Sequence, residues 1–598
     1  MGLTPSVTSS PRGERPAPFD VVLSQLTRRR SARAAWLVLA ALLVLAGAFL
    51  YHETRGTTLW FDEWMWALHR RGNNLGTFLQ PHNDHLSLVP IAIYRLLFAT
   101  AGLSHYAPYR VLVILGHLAC VTLLFVYARR RVGDFLGLLL AGLLLLLGPA
   151  WQNIIWPFQI GWLISLGAGL GALLMMDRGD RRGDVGASLL LCLSLASSGV
   201  GVPFLLAVIV EVLWRRRWRD AWIVAIPLVP YLAWWAKYQQ NAWIKGAKAE
   251  GIQHPLMSGI FRAPLFVVES AGSGLAAIVG LSGQTALGHP AAGTFLVWGP
   301  PLFIAGIGVV LWRLRTPWRI SARLLSLLVL GFSFWAFTAI TRGFISSPYA
   351  SRYLYVGALV VLLVAAELAR GVVVSLRTQA LLALIAVPIA LSNLGAYRDA
   401  ARDLRAQAQL TRAETGALDI ARPIVKPSFV ANSFFSLDAG SYFSAEKAMG
   451  TPGSSPAQLA RQPEYAREAA DAELVRIQRI TPVAASSTPV GGTRPVVESA
   501  AGGSVAGQGA CVVFMPSDVT NASTSASLVV RVPAAGLRLT AGGGSATLLV
   551  RRFADEFRAI GTLAAPTPAA MRIAPDRAPQ PWHLEVVPMD KISVCGLG

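Results

Sequence analysis

The chain has 598 residues, of which 54% are hydrophobic and 14% are charged. Because a soluble protein carries roughly a quarter charged residues, this composition excludes an ordinary soluble enzyme. The formal net charge of +21 does not indicate a nucleic-acid partner, since much of it lies in short arginine clusters at the ends of apolar runs, as in the cytoplasmic loops of membrane proteins.

Apolar runs long enough to cross a hydrocarbon core of about 30 Å recur along residues 35–395. The fold class that they predict is a polytopic α-helical membrane protein with about 11 transmembrane helices. Keeping each arginine cluster in the cytoplasm places the N-terminus inside and the C-terminal region outside. Residues 1–34, which are rich in Pro and Arg, are predicted as a disordered cytoplasmic tail.

Three apolar segments decide how the spans are counted. Residues 85–102 are predicted as a helix at the outer interface, because a span there would carry the arginines at 129–131 outside the cell. Residues 186–214 are predicted as two short spans, since the glycines and Pro203 of "SSGVGVP" break the helix. Residues 265–281 are apolar but rich in Gly, Ala and Ser, and they are left out of the count.

The first outer loop places an acidic pair among aromatic residues. Asp62 and Glu63 lie in "TTLWFDEWMWALHRR", close to three tryptophans and a phenylalanine. One interpretation is structural, since acids at the start of a helix and basic residues at its end suit the helix dipole. The other is chemical, because a carboxylate that aromatic rings partly desolvate can act as a general base on an alcohol.

His82, Asp84 and His85 begin the next helix, and two interpretations of them stay open. They can cap the helix and make polar contacts, as such clusters at a helix start commonly do. The spacing His-x-Asp-His can also ligate a divalent metal ion, which is the one cofactor that the sequence admits.

After the last span the composition changes, and three further regions are predicted. Residues 396–480 form an extracytoplasmic helical segment, and residues 481–510 form a linker rich in Ser, Thr, Pro and Gly. Residues 511–598 contain short alternating strands separated by turn residues, which predicts a small antiparallel β-sandwich.

Cysteine and tryptophan positions add detail to these regions. Cys120 and Cys192 lie inside predicted spans and are interpreted as ordinary apolar side chains. Cys511 and Cys595 flank the strands in an oxidising compartment, so they are candidates for a disulfide. Trp582 is the best candidate in the strand region for stacking on a sugar.

The order of these features resembles the GT-C superfamily of polyprenyl-phosphate-sugar glycosyltransferases. One span precedes an outer loop with an Asp-Glu pair, a short helix and the His-led helix "HNDHLSLVPIAIYRLLFATAG". Further on, "SSPYASRYLYVGALVVLLVAAELA" is similar to the Arg-Tyr that opens a late span in many such enzymes. Protein O-mannosyltransferases, lipid A aminoarabinose transferases and mycobacterial arabinofuranosyltransferases belong to this superfamily. They commonly have His-Pro-Pro-Leu where this chain has "HNDHL".

The resemblance implies roles in catalysis and in binding of the donor. Asp62 would be the base that activates the acceptor hydroxyl, with Glu63 as a second catalytic carboxylate or as a partner that raises the basicity of Asp62. Arg352, with Tyr353 beside it, and Lys237 would bind the donor phosphate and neutralise its charge as the bond breaks. The alternative for Lys237 is a lysine that snorkels to the membrane interface.

Substrate contacts are expected from two places in the membrane domain. His82 and His85 would contact the substrate at the start of their helix. Trp156 and Gln159 lie in "PAWQNIIWPFQIGW", where many relatives have charged residues. The sugar pocket is therefore expected to be neutral and aromatic.

Taken with the resemblance, the sequence predicts an inverting membrane glycosyltransferase that uses a polyprenyl-phosphate sugar. The expected acceptor is a cell-envelope glycan, lipid or protein on the outer face of the membrane, and no nucleic acid is expected as a partner. Two alternatives stay open: a transporter or ligase of lipid-linked oligosaccharides, and a non-catalytic envelope-assembly protein. The expected location is the cell membrane.

Overall fold

The structure, a computed structural model, describes residues 18–239, 241–281, 292–315, 320–432, 437–484, 491–517 and 526–598. These residues form two compact units. The first unit comprises the described parts of Met1–His52, Pro81–Leu86 and Val113–Tyr397. The second unit comprises those of Glu53–Gln80, Ser87–Leu112 and Arg398–Gly598.

Helices make up the chain as far as residue 420. They are α1 (Pro18–Glu53), α2 (Asp62–His69), α3 (Leu75–Leu79), α4 (Leu88–Thr100), α5 (Ala107–Leu145), α6 (Trp151–Ile155), α7 (Ile160–Met176), α8 (Arg181–Ser197), α9 (Gly201–Trp214), α10 (Trp222–Tyr238), α11 (Ala242–Ala249), α12 (Pro255–Ile278), α13 (Ala292–Leu314), α14 (Ala322–Arg342), α15 (Ser351–Leu368) and α16 (Leu376–Ile420).

Seven helices among the described residues are long and apolar enough to cross a membrane, by length and composition: α1, α5, α7, α13, α14, α15 and α16. The chain is therefore a multi-pass membrane protein, as the sequence predicted. The other predicted spans correspond to α8, α9 and α10, whose 17, 14 and 17 residues fall short of the roughly 20 that a straight crossing needs.

Two breaks between helices lie where the sequence pattern indicated them. Helix α5 contains two predicted spans, and Gly133, with φ 82 and ψ 179, interrupts its helical backbone between them. Helix α8 ends at Ser197 and α9 begins at Gly201, inside "SSGVGVP". Glycine and proline chemistry placed the break before α9, whereas the two spans within α5, 109–127 and 134–149, were separated by the arginines at 129–131.

The predicted disordered tail is corrected in part. Residues 1–17 lie outside the described residues, but α1 begins at Pro18, so residues 18–34 are helical. Leucine, arginine and alanine in this stretch have high helix propensity, and the stretch continues directly into the apolar span.

A buried ion-pair network holds together several helices of the first unit. Arg323 contacts Asp177 at 3.0 Å and Glu211 at 3.1 Å. Arg131 contacts Asp177 at 3.1 Å and also pairs with Glu367. The network joins α5, α9, α14, α15 and the residue after α7, so some of the charge that the sequence assigns to loops links helices in the interior.

The second unit ends in two antiparallel sheets. Between α16 and the sheets lie β1 (Val430–Asn432), β2 (Leu437–Asp438), α17 (Ala439–Met449), α18 (Pro456–Leu459) and α19 (Glu464–Gln478). The strands of the sheets are β3 (Val483–Ala484), β4 (Val496–Ala501), β5 (Gly503–Gln508), β6 (Cys511–Pro516), β7 (Ser527–Arg531), β8 (Leu537–Ala541), β9 (Ser545–Arg551), β10 (Arg558–Ala564), β11 (Ala569–Met571), β12 (His583–Pro588) and β13 (Ile592–Gly596). One sheet has the order β10-β9-β12-β7-β4, and the other has the order β3-β11-β8-β13-β6-β5.

Alternating side chains from the two sheets form the core of this sandwich. In β8 and β12 every second residue is buried, and Phe514, Leu539 and Leu584 belong to one buried cluster with Leu474 of α19. The sandwich predicted for residues 511–598 is present, and α19 packs against it.

The predicted linker at 481–510 is corrected. Residues 485–490 lie outside the described residues, but β3, β4 and β5 occupy much of the remainder. Strands β4 and β5 lie at the edges of their sheets, and most of their side chains are exposed. An edge strand with exposed small side chains has no alternating apolar pattern, so the sequence shows no strand signal there.

Cys511 and Cys595, the predicted disulfide candidates, are bonded to each other and pair directly across β6 and β13. Trp582 is corrected as a sugar-stacking residue, because its side chain is only 3% exposed and belongs to the core cluster. The guanidinium of Arg552 lies 5.3 Å from the Trp582 ring centroid. Trp582 is thus a core residue of the sandwich.

Candidate active site

The candidate residues fall in both units. Asp62 and Glu63 belong to the second unit, whereas the histidines at 82 and 85 and the later candidates up to 353 belong to the first. The arrangement inside each unit shows which side chains are held by the fold and which keep a surface for a substrate.

The acidic pair lies at the strained start of α2. Phe61, the residue before the helix, has φ 50 and ψ −116, a conformation that costs a non-glycine residue about 1–3 kcal/mol. Asp62 and Glu63 are the first two residues of α2, so their side chains leave the helix in different directions. Asp62 is half-buried, whereas Glu63 is fully buried. Only Asp62 therefore presents part of its side chain at a surface.

Three hydrogen bonds hold the carboxylate of Glu63 inside the second unit. Oε1 accepts from the hydroxyl of Tyr94 at 2.5 Å, and Oε2 accepts from the hydroxyl of Tyr106 at 2.7 Å and from the main-chain N–H of Trp60 at 2.9 Å. A carboxylate enclosed in this way offers no surface to a substrate hydroxyl, which disfavours Glu63 as the base itself, whereas its alternative role as a partner of Asp62 stays a prediction.

Packed aromatic rings keep the two tyrosine donors in place. Tyr106 stacks on Tyr109 at 5.2 Å between ring centroids, and Tyr94 meets Tyr109 at 5.5 Å and Trp66 at 4.9 Å, edge to face. Burial, and next the charge of Glu63, raise the pKa of Tyr106 well above its ordinary value. Its hydroxyl therefore keeps its proton and donates to the carboxylate.

In the first unit, an aromatic group joins two of the predicted substrate residues. The ring of His82 meets the ring of Phe158 edge to face at 5.4 Å, and Phe158 stacks on Trp156 at 5.1 Å. Trp156 is buried. Through Phe158, which lies just before α7 in the chain, His82 and Trp156 thus belong to one aromatic group.

Buried amide side chains lie in the same stretch of chain. Gln152, Asn153 and Gln159 are at most 6% exposed. Among the residues that the structure describes, Oε1 of Gln152, Oε1 of Gln159 and both polar atoms of Asn153 have no hydrogen-bond partner. Because buried polar groups are nearly always hydrogen-bonded, these atoms indicate positions for ordered water or for ligand hydroxyls.

Arg352 lies beside this stretch at the start of α15. The hydroxyl of Ser351 accepts a hydrogen bond from the main-chain N–H of Gln152 at 3.1 Å. Arg352 itself donates to the Ser346 hydroxyl at 3.0 Å, and its guanidinium lies 5.1 Å from the ring centroid of Tyr353. Within the described part of the chain, these contacts of Arg352 are with neutral groups, so its positive charge can act on an anion.

Lys237 is exposed at the end of α10, and its ammonium lies 5.5 Å from the ring centroid of Tyr238. This contact suits a snorkelling lysine, whose stem covers apolar surface while its charge faces polar surroundings.

Two main-chain N–H groups and an arginine contact Asp84. One carboxylate oxygen accepts from the main-chain N–H of Ala242 at 2.8 Å, and the other accepts from that of Trp243 at 2.9 Å. Arg342 also pairs with Asp84 at 3.4 Å. The Asp84 carboxylate therefore supplies hydrogen-bond acceptors for the first N–H groups of α11. Within the described ranges, no group of three His, Cys, Asp or Glu side chains is placed to hold a metal ion, and the metal ligation by His82, Asp84 and His85 stays a prediction.

His85 packs against the backbone of another helix pair. A Cβ atom on Gly199, between α8 and α9, would lie 2.3 Å from Nδ1 of His85. Burial, and next the positive charge of Arg342, lower the pKa of His85 to about 3. The imidazole is therefore neutral at pH 7 and can both donate and accept a hydrogen bond.

Several residues of these arrangements were absent from the sequence interpretation. Tyr106 lies 43 residues from Glu63, and Arg342 lies 258 residues from Asp84. Such separations exceed any local periodicity. The amides at 152 and 153 did carry a signal, since two polar residues inside a long apolar region require partners.

Comparisons with known proteins found matches among solved structures, at low identity. No protein-family model matches the chain, and no curated protein matches it. Among solved structures, the chain is similar to ArnT from Cupriavidus metallidurans in the apo state, at 15% identity and a TM-score of 0.41, over 71% of this chain and 90% of that one. The ArnT structure bound to undecaprenyl phosphate gives the same identity and TM-score, over 70% and 89%.

The chain is also similar to the archaeal oligosaccharyltransferase AglB from Archaeoglobus fulgidus, solved with an inhibitory peptide and a dolichol-phosphate. The identity is 15% and the TM-score 0.36, over 63% of this chain and 58% of AglB.

Proposed function

We propose that the chain is an inverting glycosyltransferase that moves a sugar from a polyprenyl-phosphate donor to a hydroxyl of a cell-envelope acceptor, on the outer face of the membrane. The observation that carries this proposal is the division of the acidic pair at the start of α2. Glu63 is enclosed by three hydrogen bonds, and Asp62 keeps a partly exposed side chain. An anchored carboxylate next to an accessible one is an arrangement suited to a fixed general base.

In the proposed reaction, Asp62 takes the proton of the acceptor hydroxyl as its oxygen bonds to the anomeric carbon. The bond between that carbon and the phosphate oxygen of the donor breaks, and its electron pair leaves with the polyprenyl phosphate. A single displacement of this kind inverts the anomeric configuration. The reaction needs no nucleotide, because the lipid phosphate is the leaving group.

Glu63 is assigned a positioning role in this scheme. Its hydrogen bond from the N–H of Trp60 spans the strained residue Phe61, so it holds the chain on both sides of the strain. Tyr94 and Tyr106 fix the other side of the carboxylate. The direction in which Asp62 leaves the helix therefore depends on Glu63.

Arg352 is assigned to the donor phosphate. Its contacts with the Ser346 hydroxyl and the ring of Tyr353 are with neutral groups, which orient the guanidinium and leave its charge in place. Charge-assisted hydrogen bonds from arginine to phosphate are strong and directional. Lys237 is assigned a second, weaker contribution to phosphate binding. It is exposed, and a mobile lysine side chain loses more entropy on binding than an oriented arginine does.

We assign the sugar to the aromatic group of His82, Trp156 and Phe158 and to the buried amides in the chain just before α7. Gln159 and Asn153 have buried polar atoms without a hydrogen-bond partner among the described residues, and the buried ring of Trp156 packs on Phe158 in the same stretch of chain. His82, through Phe158, lies against the same aromatic group. These groups are neutral, so a neutral sugar is favoured over a charged one.

The test is a lipid and glycan profile of a strain that lacks the protein. We expect a polyprenyl-phosphate sugar to accumulate, and its mass would name the donor. Wild-type protein and the control Glu468→Gln, an exposed acid on α19, should remove the accumulated lipid. Asp62→Asn, although expressed and folded, should not remove it. If Asp62→Asn restores the normal profile as well as wild type does, the proposed base is wrong.

A further inference from the structure

A polar cavity of about 660 Å³ lies within the second unit. Its walls come from the loop at 56–58, the chain around the start of α5, the later part of α16 and the segment at 451–463, which includes α18. The volume falls in the range of about 300–1,000 Å³ that is typical of small-molecule sites. Its lining includes none of the residues assigned above to the base, the donor phosphate or the sugar.

The charged side chains that line the cavity are all positive. Arg110, Arg412 and Arg461 line the cavity, and its lining residues, all of them within the described chain, include no Asp or Glu. Arg110 is only 7% exposed, Arg412 is half-buried and Arg461 is exposed. Three guanidinium groups around one concave space create a positive potential that is stronger than on a flat surface.

Hydrogen bonds to neutral groups orient Arg412. It donates to the main-chain carbonyls of Gly56 at 2.9 Å and Thr57 at 3.3 Å. In return, its own carbonyl accepts from the N–H of Ser454 at 3.0 Å. These bonds fix the guanidinium and do not cancel its charge, and an arginine has five N–H donors in total.

Amide and hydroxyl groups make up much of the remaining lining. Gln409, Gln458 and Gln462 come from α16 and from the segment around α18, and Thr451 and Ser454 add hydroxyls. The side-chain amide of Gln462 donates to the Ser454 hydroxyl at 3.2 Å. Groups that donate and accept hydrogen bonds in a concave space suit a ligand with many hydroxyls, such as a carbohydrate.

We propose that this cavity binds an acidic saccharide, a sugar or oligosaccharide that carries carboxylate or phosphate groups. The arginines supply the contacts to the anionic groups, which arginine binds in a bidentate fashion. The amides and hydroxyls supply the contacts to the sugar ring. The ligand class goes beyond the proposed transfer reaction, since the binding does not require Asp62 or the donor.

The experiment is isothermal titration calorimetry on the full-length protein in nanodiscs of zwitterionic lipid. The probes are tetragalacturonate, glucose 6-phosphate, maltotetraose and inorganic phosphate. We expect at least one of the two acidic saccharides to bind about tenfold or more tightly than both maltotetraose and inorganic phosphate, and the tighter of the two identifies carboxylate or phosphate as the anionic group. If neither is preferred over maltotetraose, or if inorganic phosphate binds as tightly, the proposal is overturned.

Variants separate the cavity from the general positive charge of the chain. Arg461→Gln and Arg412→Gln should each weaken binding of the preferred acidic probe by about tenfold, the loss expected for one charge-assisted hydrogen bond. Arg572→Gln removes the same charge from an exposed position outside the cavity and should leave the affinity within about twofold. Because Arg461 is exposed, its replacement carries little folding risk. Equal affinity for Arg461→Gln and Arg572→Gln would overturn the proposal, whatever Arg412→Gln shows.

Binding and transfer can fail separately. The Asp62→Asn protein should bind the acidic probe as wild type does, since Asp62 is not part of the cavity lining. A protein that binds the probe but transfers no sugar would contradict the proposed enzyme and leave the binding site standing. A protein that transfers sugar but shows no preference for an acidic probe would contradict the binding site and leave the proposed enzyme standing.

Discussion

Tyr106 donates its hydroxyl hydrogen to Oε2 of Glu63 over 2.7 Å, inside a fully buried part of the second unit. Glu63 is adjacent to Asp62, and Tyr106 also lines the arginine-rich cavity. One tyrosine therefore touches both the anchor of the proposed base and the proposed saccharide site. Its ring stacks on Tyr109, so a ligand that shifts Tyr106 would also disturb the anchor of α2.

Tyr106→Phe should weaken this anchor without changing the shape of the core. The variant keeps the ring and removes one hydrogen bond to a buried carboxylate, so we expect a loss of about 1.5–3 kcal/mol in the free energy of unfolding. Tyr465→Phe is the matched control, because it removes a hydroxyl that bonds Gln409 at an exposed position. The measurement is thermal unfolding in nanodiscs, and equal stability of the two variants would contradict the anchor.

The buried network in the first unit predicts a larger effect. Arg323→Leu would leave Glu211, which is 0% exposed, with less compensation for its buried charge, and it would also remove a contact to Asp177. We expect a loss of about 3–5 kcal/mol in the free energy of unfolding, the range for breaking a buried ion pair. Adding Glu211→Leu should recover part of the loss. A double variant that is less stable than the single one would show that the charges act independently.

The sandwich and the helix breaks could be predicted from sequence because each depends on local patterns. The alternation in β8 and β12, the glycines before α9 and the spacing of apolar runs are all readable over about ten residues. The edge strand β4 could not be predicted, since its exposed side chains leave no alternation. The position of Trp582 was misjudged for a related reason: the identity of a residue gives its stacking ability, whereas only the fold gives its exposure.

The candidate site was only partly predictable because its determining contacts are long-range. The sequence singled out Asp62 and Glu63 as a pair but could not distinguish their roles. Two of the hydrogen bonds that enclose Glu63 come from Tyr94 and Tyr106, which lie far along the chain. The same holds for Asp84, whose acceptor role depends on backbone groups 158 and 159 residues away. The roles of adjacent acids are set by which one the fold encloses.

His85 predicts a dependence of stability on pH. Its pKa in the folded protein is about 3, below the ordinary value of about 6.5, so the unfolded chain binds more protons between these values. Stability is therefore complete above about pH 6.5 and falls as the pH is lowered toward 3. We expect the drop in unfolding temperature between about pH 7.5 and pH 5 to be smaller in His85→Gln than in wild type. His105→Gln, at an exposed histidine, should keep the wild-type drop, and a His85→Gln protein that also keeps it would contradict the assignment.

The contact between Asp84 and the start of α11 predicts how the protein responds to loss of metal and to loss of this carboxylate. Asp84 accepts from the N–H groups of Ala242 and Trp243, which are among the first groups of a helix that lack an internal partner. Asp84→Ala removes both acceptors and leaves Arg342 with one partner fewer, so we expect a loss of about 0.5–2 kcal/mol in the free energy of unfolding, as for a lost helix cap. Asp84→Asn retains one oxygen acceptor and should lie between wild type and Asp84→Ala. Treatment with a chelator should leave the unfolding temperature of wild type unchanged, because the carboxylate is held by N–H groups and an arginine. A fall in that temperature on chelation, restored by a divalent metal and absent in Asp84→Ala, would instead establish Asp84 as a metal ligand.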